Sequence, residues 1–276
     1  MRATLLQPSD HSQVEALLEA TVAESIFLLG MLERRRIGVT ADEVWWGVKG
    51  ADQRLIGLAF LGTGPTSAGP GLWVCAGPEE VGAVLGKRLG SATLPAMCIG
   101  PRATVDALWV HLGSPPHRLA ALSRVYACTD VLPSEGMEVR PATLADLDWV
   151  RRASVEMMME DLGLDPRAPD PDTHETQVRA SIKAGRTWVG TMEGVRVFRL
   201  EVGTRGQYGA QVGGTWVPPS HRGHGLGAQG MATVCAHLLR TMPRVALHVR
   251  EENLPAIRCY TRIGFRPCSP LRLLVR

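Results

Sequence analysis

Three glycines at alternate positions beside an arginine mark the stretch of this chain best equipped for chemistry, Gly213-Gly-Thr-Trp-Val-Pro-Pro-Ser-His-Arg-Gly-His-Gly-Leu-Gly-Ala228. Its first residues read as a β-strand closing at Val217, because Pro218 and Pro219 have no N–H to give to a ladder. Arg222, Gly223, Gly225 and Gly227 then lead into a helix whose apolar positions are Met231, Val234, Cys235 and Leu238. The start of a helix presents unpaired N–H groups and partial positive charge, which suits an anion. Glycine lets the backbone approach that anion with no Cβ in the way. Arg222, flanked by His221 and His224, adds cationic reach toward a phosphate. The pattern predicts a diphosphate cradle. An ordinary glycine-rich connection would explain two glycines more readily than three beside an arginine.

Downstream, Asn253-Leu-Pro-Ala-Ile-Arg-Cys-Tyr-Thr-Arg-Ile-Gly-Phe265 reads as a second helix, capped by Asn253 and carrying Tyr260. A tyrosine there either packs or donates a proton. Upstream, Glu201 alternates with Phe198, Leu200 and Val202 and so lies on the opposite face of its strand. It is either a proton acceptor working through water or a solvated strand residue. His248 is a second candidate base, read as structural. The acidic run from Glu160 to Asp172 reads as a solvated loop that would also attract a cationic amine. Met157 to Met159 offer adaptable packing.

Gly225-Leu-Gly-Ala-Gln-Gly230 also fits the G-x-G-x-x-G pattern of dinucleotide folds. Seven residues separate it from its strand, and too little chain follows Glu251 for further strand–helix units, so the match is read as coincidental.

Arg222-Gly-His-Gly-Leu-Gly227 resembles the (Q/R)-x-x-G-x-(G/A) signature of the GNAT superfamily of acyl-CoA-dependent N-acetyltransferases. The segment from Asn253 to Phe265 resembles the same superfamily's N-x-x-A-x-x-x-Y-x-x-x-G-F helix, and the two stand in the family's order. The resemblance implies acetyl-CoA as cosubstrate and direct attack by a primary amine in a ternary complex. It implies that Trp216 and Val217 run along the pantetheine arm, with the Val217 N–H on the thioester carbonyl. Arg222, Gly223, His224, Gly225, Gly227 and Ala228 would hold the diphosphate. Asn253 and Ala256 would flank the cofactor, and Tyr260 would protonate the leaving sulfur. Glu201 is carried as candidate base. The alternative is a catalytically silent acyl-CoA-binding or sensing protein.

These residues need a frame. MRATLLQPSDHSQVEALLEA at the start and EVRPATLADLDWVRRASVEM from Glu138 both read as a short strand, a polar turn with an acid, and an amphipathic helix. In the second copy Thr143 or Asp146 is the expected cap. The chain therefore reads as a diverged duplication, broken at Pro133-Ser134-Glu135-Gly136. The first half gives strands at 44–48, 55–61, 72–75, 96–99 and 124–130, a glycine-rich turn from Gly62 to Gly71, and helices at 79–89 and 103–112. The second gives one or two helices to about Ala184, strands at 187–192, 195–202 and 210–217, a helix at 226–241, a strand at 244–249, a helix at 253–263 and a final strand. The fold class is α/β, a mixed α+β sheet. With the resemblance it becomes two tandem GNAT-like domains, each a mixed, mostly antiparallel sheet flanked by helices. Residues 1–133 would form a degenerate copy without the cofactor motif, and 137–276 the catalytic one. The degenerate copy has Pro78, Glu79 and Glu80 where N–H donors and positive charge would be required.

Composition closes off other classes. The 276 residues are 45 % hydrophobic and 21 % charged, ordinary for a globular enzyme. A net charge of +3 is too balanced to predict a nucleic-acid surface. No apolar run approaches the roughly 20 residues that cross a bilayer, and the longest, Ile26 to Leu32, contains Gly30. The N-terminus has no apolar core of a signal peptide. Six scattered cysteines without C-x-x-C spacing read as reduced thiols, so a cytoplasmic location, no metal and no membrane are expected. The expected partner is a small-molecule or peptide amine. The oligomeric state is not legible.

Overall fold

The computed structural model describes residues 1–34, 37–38, 43–63, 70–90, 94–132, 136–168 and 170–276. Most of the Gly62–Gly71 turn and the break at Pro133–Glu135 lie outside the described residues. The chain divides into two compact units, Met1–Val125 with Ser269–Arg276, and Tyr126–Cys268.

The first unit opens with β1 (Arg2–Leu5), α1 (His11–Glu19) and α2 (Val22–Arg34). The antiparallel strands β2 (Val44–Lys49), β3 (Leu55–Thr63) and β4 (Pro70–Ala76) follow, β1 pairing with β2. After α3 (Glu79–Leu89), β5 (Met97–Pro101) runs parallel to β4, and α4 (Arg102–His111) leads to β6 (Leu119–Cys128). Trp73, Val81, Leu85, Val105 and Leu108 fill the core between sheet and helices.

The second unit repeats the order. β7 (Glu138–Pro141), α5 (Leu147–Leu162) and α6 (Pro171–Lys183) precede the antiparallel β8 (Thr187–Met192), β9 (Val195–Gly206) and β10 (Gly209–Trp216). Then come α7 (Leu226–Leu239), β11 (Val245–Arg250) parallel to β10, α8 (Leu254–Arg262) and β12 (Arg266–Val275). Each unit is thus a mixed, mostly antiparallel sheet with helices on its faces. The last strand does not stay with its half: Leu271–Val275 pairs antiparallel with β5 and completes the first unit.

The duplication is clearest in the turn before each first helix. In the first copy the Gln7 N–H donates to Asp10, which Lys49 holds at 2.8 Å. In the second, the Thr143 N–H donates to Asp146 at 2.8 Å. Thr143 and Asp146 cap a single turn of 3-10 helix, 144–146, that feeds into α5. Asp146 is fully buried and also takes hydrogen bonds from Arg140 (2.8 and 3.1 Å) and Arg196 (2.6 Å). The Arg140 guanidinium holds its carboxyl well below the ordinary carboxylate range. Arg140 and Arg196 are themselves 37 % and 32 % exposed, so water screens them once the acid is removed, and Asp146→Ala should destabilise the second unit by about 1–3 kcal/mol in a urea titration, chiefly through the Thr143 N–H left without its acceptor. Because the folded-state pKa is depressed, this contribution is complete above the unfolded value of 3.8 and is lost as pH falls below it.

Within the second unit the two sheet faces differ. Phe198, Leu200, Val202, Val212, Leu247 and Phe265 pack with α7 and α8. Val189 packs on the other face with Val150 of α5 and Val178 and Ile182 of α6. Arg199 pairs with Val189, and Glu201 with Thr187, so both face α5 and α6. Among the described residues no helix is long and apolar enough to cross a membrane, and no cluster of three metal-type ligands occurs. None of the six cysteines is in a disulfide, and four of them are buried.

Candidate active site

The site begins where two parallel strands part. β10 and β11 pair only through Ala210↔Val245 and Gln211↔Ala246, although β10 runs to Trp216 and β11 to Arg250. The gap opens well before Pro218. β10 is itself irregular there: its register with β9 slips between Gln211 and Val212, where the pairing with β11 stops, and again between Gly213 and Trp216, where Gly214 adopts a left-handed φ of +57°. The prolines end the strand but do not start the wedge.

At the mouth of the wedge the chain turns through Pro219–His221 into α7. Gly223 (φ +85°) and Gly225 (φ +76°, the helix N-cap) are both left-handed. A Cβ at either would meet nothing within 4 Å. Gly227 would meet only Cys259 Sγ at 3.7 Å and Val217 Cγ2 at 3.9 Å. The result is an open hollow facing the unpaired N–H groups of a fourteen-residue helix. Such a hollow fits the diphosphate of a CoA ester.

α8 borders it. The Asn253 side chain accepts a hydrogen bond from the Ala256 N–H at 3.2 Å, the expected cap. Ala256 is half-buried against the core, as is Ala228. Tyr260 is 9 % exposed, tilted against Phe265 with ring centroids 6.0 Å apart. Burial raises the pKa of its hydroxyl, with the Cys259 and Asp161 charges adding to the shift and Thr215 opposing it. The phenol therefore keeps its proton at neutral pH.

Val217 lies just past the last paired residue of β10, Trp216. Trp216 is buried, its ring edge-on to Trp149 at 6.2 Å. The Val217 carbonyl accepts from Arg222 Nε at 2.9 Å. The rest of the Arg222 guanidinium is forked onto Glu160, each Nη 2.7 Å from a carboxylate oxygen. Arg222 is thus not a free cationic arm. His224 is exposed at the turn, and His221 Nδ1 lies 2.9 Å from Ser220 Oγ.

Glu201 is half-buried and already engaged. It accepts from Arg199 Nη2 and Thr187 Oγ1, each at 3.1 Å, and from the Ser181 hydroxyl. Arg199 is itself buried, its Nη1 3.5 Å from Met157 Sδ, in a network with no local sequence signal. His248 Nδ1 lies 3.5 Å from Gln211 Nε2, and burial pushes its pKa down to about 4.

The acidic run is two structures and not one loop. Glu160 and Asp161 sit in the last turn of α5, which stops at left-handed Gly163. Asp170 caps α6 by accepting from the Asp172 N–H at 3.1 Å.

Residues 154–265 match the acetyltransferase (GNAT) family model, and that span holds the wedge, the glycine turn and Tyr260. The chain carries a GNAT acetyltransferase domain. No curated protein matches the sequence. Among solved structures, an acetyltransferase of the GNAT family from Colwellia psychrerythraea shares 13 % identity at a TM-score of 0.57, with full coverage of both chains. A GCN5-related N-acetyltransferase from Sphaerobacter thermophilus shares 16 % at 0.60, over 99 % of this chain and 94 % of that one. A tandem GNAT protein from the clavulanic acid biosynthesis pathway shares 16 % at 0.55, over 100 % of this chain and 98 % of its own. At such identities these likenesses concern the fold, and they extend the GNAT architecture across the whole chain.

The first unit differs from the GNAT domain where a cofactor would enter. β4 and β5 stay close at Cys75 and Gly100, where a Cβ on Gly100 would lie 2.7 Å from the Cys75 carbonyl oxygen. A Cβ on Gly82 of α3 would collide with the Thr104 carbonyl of α4. Pro78 caps α3, and Glu79 and Glu80 fill its first turn.

Proposed function

We propose that the protein is an acetyl-CoA-dependent N-acetyltransferase whose second unit binds the cofactor and moves its acetyl group to an amine in a ternary complex. The observation that carries this reading is the wedge: two parallel strands that part after two residue pairs, beside an open glycine turn at a helix N-terminus. Bound acetyl-CoA supplies an activated thioester carbonyl. The amides of the first turn of α7 would hold its diphosphate. The Val217 N–H, at the end of the β10 lip, would polarise the carbonyl oxygen. Tyr260, reaching the gap from the α8 face with its proton retained by burial, would protonate the departing sulfur.

Glu201 takes a positioning role in this reading. Three donors already claim its carboxylate, so it fixes Arg199 and the floor of the wedge beneath Gly213, its partner on β10.

Two measurements on the intact chain test the proposal. Calorimetry should find one CoA per chain, since the first unit has no gap between β4 and β5 and acids at the start of α3. Acetyl-CoA with an amine should release free thiol. Binding without thiol release across a broad amine panel would instead identify a silent acyl-CoA-binding protein. A stoichiometry of two would reject the division of labour between the units.

A further inference from the structure

The last turn of α5 crosses the mouth of the wedge. Glu160 is tied to Arg222, in the turn that follows β10, and Asp161 faces Arg250, at the end of β11. The two acids, adjacent in sequence, therefore reach opposite lips of the gap. They are not equivalent. Glu160 is locked by both Nη groups of Arg222 at 2.7 Å. Asp161 has one ion-pair partner among the described residues, Arg250 at 3.6 Å, and that arginine is held more closely by Glu252 at 2.6 Å. Glu201, the other acid of the wedge, already has three donors.

We infer that Asp161 is the carboxylate that receives the acceptor amine: it draws in an alkylammonium and takes its proton. The inference rests on the transferase reading above. It places acid and base on opposite sides of the gap, Tyr260 on α8 and Asp161 on α5, close enough for the Asp161 charge to be felt at the Tyr260 hydroxyl. Burial raises the Asp161 pKa, and Glu160 reinforces the shift, while Arg250 and Arg222 oppose it. A raised pKa makes a carboxylate a stronger base, nearer in basicity to the amine it must deprotonate. The side chain is still 43 % exposed, which leaves it a route for the proton to solvent. The same face carries His248, which burial keeps neutral, with Gln211 beside it, and the mutually paired Arg199 and Glu201 with Ser181 and Thr187.

The ammonium gives one proton to Asp161, which passes it to water. The freed nitrogen lone pair forms the C–N bond while the C–S bond breaks with its electron pair on sulfur. Sulfur takes the Tyr260 proton, the second nitrogen proton passes to water, and exchange with water restores both side chains. One proton is released for each amide formed from an ammonium. The acceptor class is an alkyl amine, cationic at neutral pH.

The test compares two acceptors in the intact protein. n-Butylamine is cationic at pH 7 and needs a base, whereas hydroxylamine is largely uncharged and does not. Asp161→Asn should lower butylamine-dependent thiol release about a hundredfold. It should leave hydroxylamine-dependent release and calorimetric CoA affinity within a few-fold of wild type. Asp161→Glu should recover part of the butylamine rate, and the acidic limb of the wild-type butylamine profile should vanish in the Asn variant. Equal loss with both amines, or no loss with butylamine, would overturn the assignment. A wild-type protein that binds acetyl-CoA but releases no thiol with either amine would overturn the transferase reading, and this inference with it.

Discussion

Gly225→Glu is expected to abolish CoA binding while leaving the protein folded. The substitution adds its side chain where a Cβ meets no atom within 4 Å, so it disturbs no packing. The φ of +76° costs a glutamate about 1–2 kcal/mol, which a domain of this size can absorb. A carboxylate at a helix N-terminus is electrostatically welcome there, which returns part of that cost. That same attraction makes the variant its own ligand. The new carboxylate occupies the unpaired N–H groups of α7 and repels an arriving diphosphate. Losing two charge-assisted hydrogen bonds at about 1.5–3 kcal/mol each corresponds to roughly 10²–10⁴-fold in affinity. Calorimetry should show no heat of CoA binding beside a near-normal melting temperature. Gly225→Ala, with the same φ but no charge, should bind more weakly than wild type and more tightly than the Glu variant. Wild-type affinity in a folded Glu variant would move the diphosphate away from this turn.

The parts of this site visible in the sequence are those set by local backbone chemistry. Alternate glycines before an apolar helix, and Asn253 before Leu254-Pro255, state their conformations within a few residues. So do Thr143 and Asp146, whose side-chain and backbone partners lie three positions apart. What the sequence hid depends on partners distant along the chain or on burial that breaks periodicity. α2 was not legible because Ile26, Leu28, Leu29, Met31 and Leu32 are all buried, and a helix covered on most sides shows no single apolar stripe. The final strand read simply as a strand, since nothing in Leu271–Val275 names its partner, Met97–Pro101. Arg199 looked like one more charge on a strand, yet it is enclosed with Glu201, Ser181 and Thr187 from three elements. Pro218 and Pro219 announce themselves in the sequence as the end of β10. The left-handed turn at Gly214 does not.

Tyr260→Phe should lower kcat by roughly 10²–10⁴-fold with little change in CoA affinity or stability. The ring is the structural part of this residue: it sits in the core with Ile263 and Phe265, and phenylalanine keeps that shape. What is lost is the hydroxyl, and with it the proton placed at the wedge. Burial is the main reason the hydroxyl holds its proton, so wild-type turnover should show no alkaline limb from Tyr260 near neutral pH. The cradle is built from α7 amides and does not involve the hydroxyl, so binding and turnover should separate in this variant. A fall in kcat with unchanged calorimetric affinity assigns Tyr260 to the chemical step. Because the acid serves the leaving sulfur and not the nucleophile, the loss should be the same for n-butylamine and hydroxylamine, unlike that of Asp161→Asn. Wild-type turnover in Tyr260→Phe would remove the hydroxyl from the mechanism and leave Tyr260 a packing residue of α8.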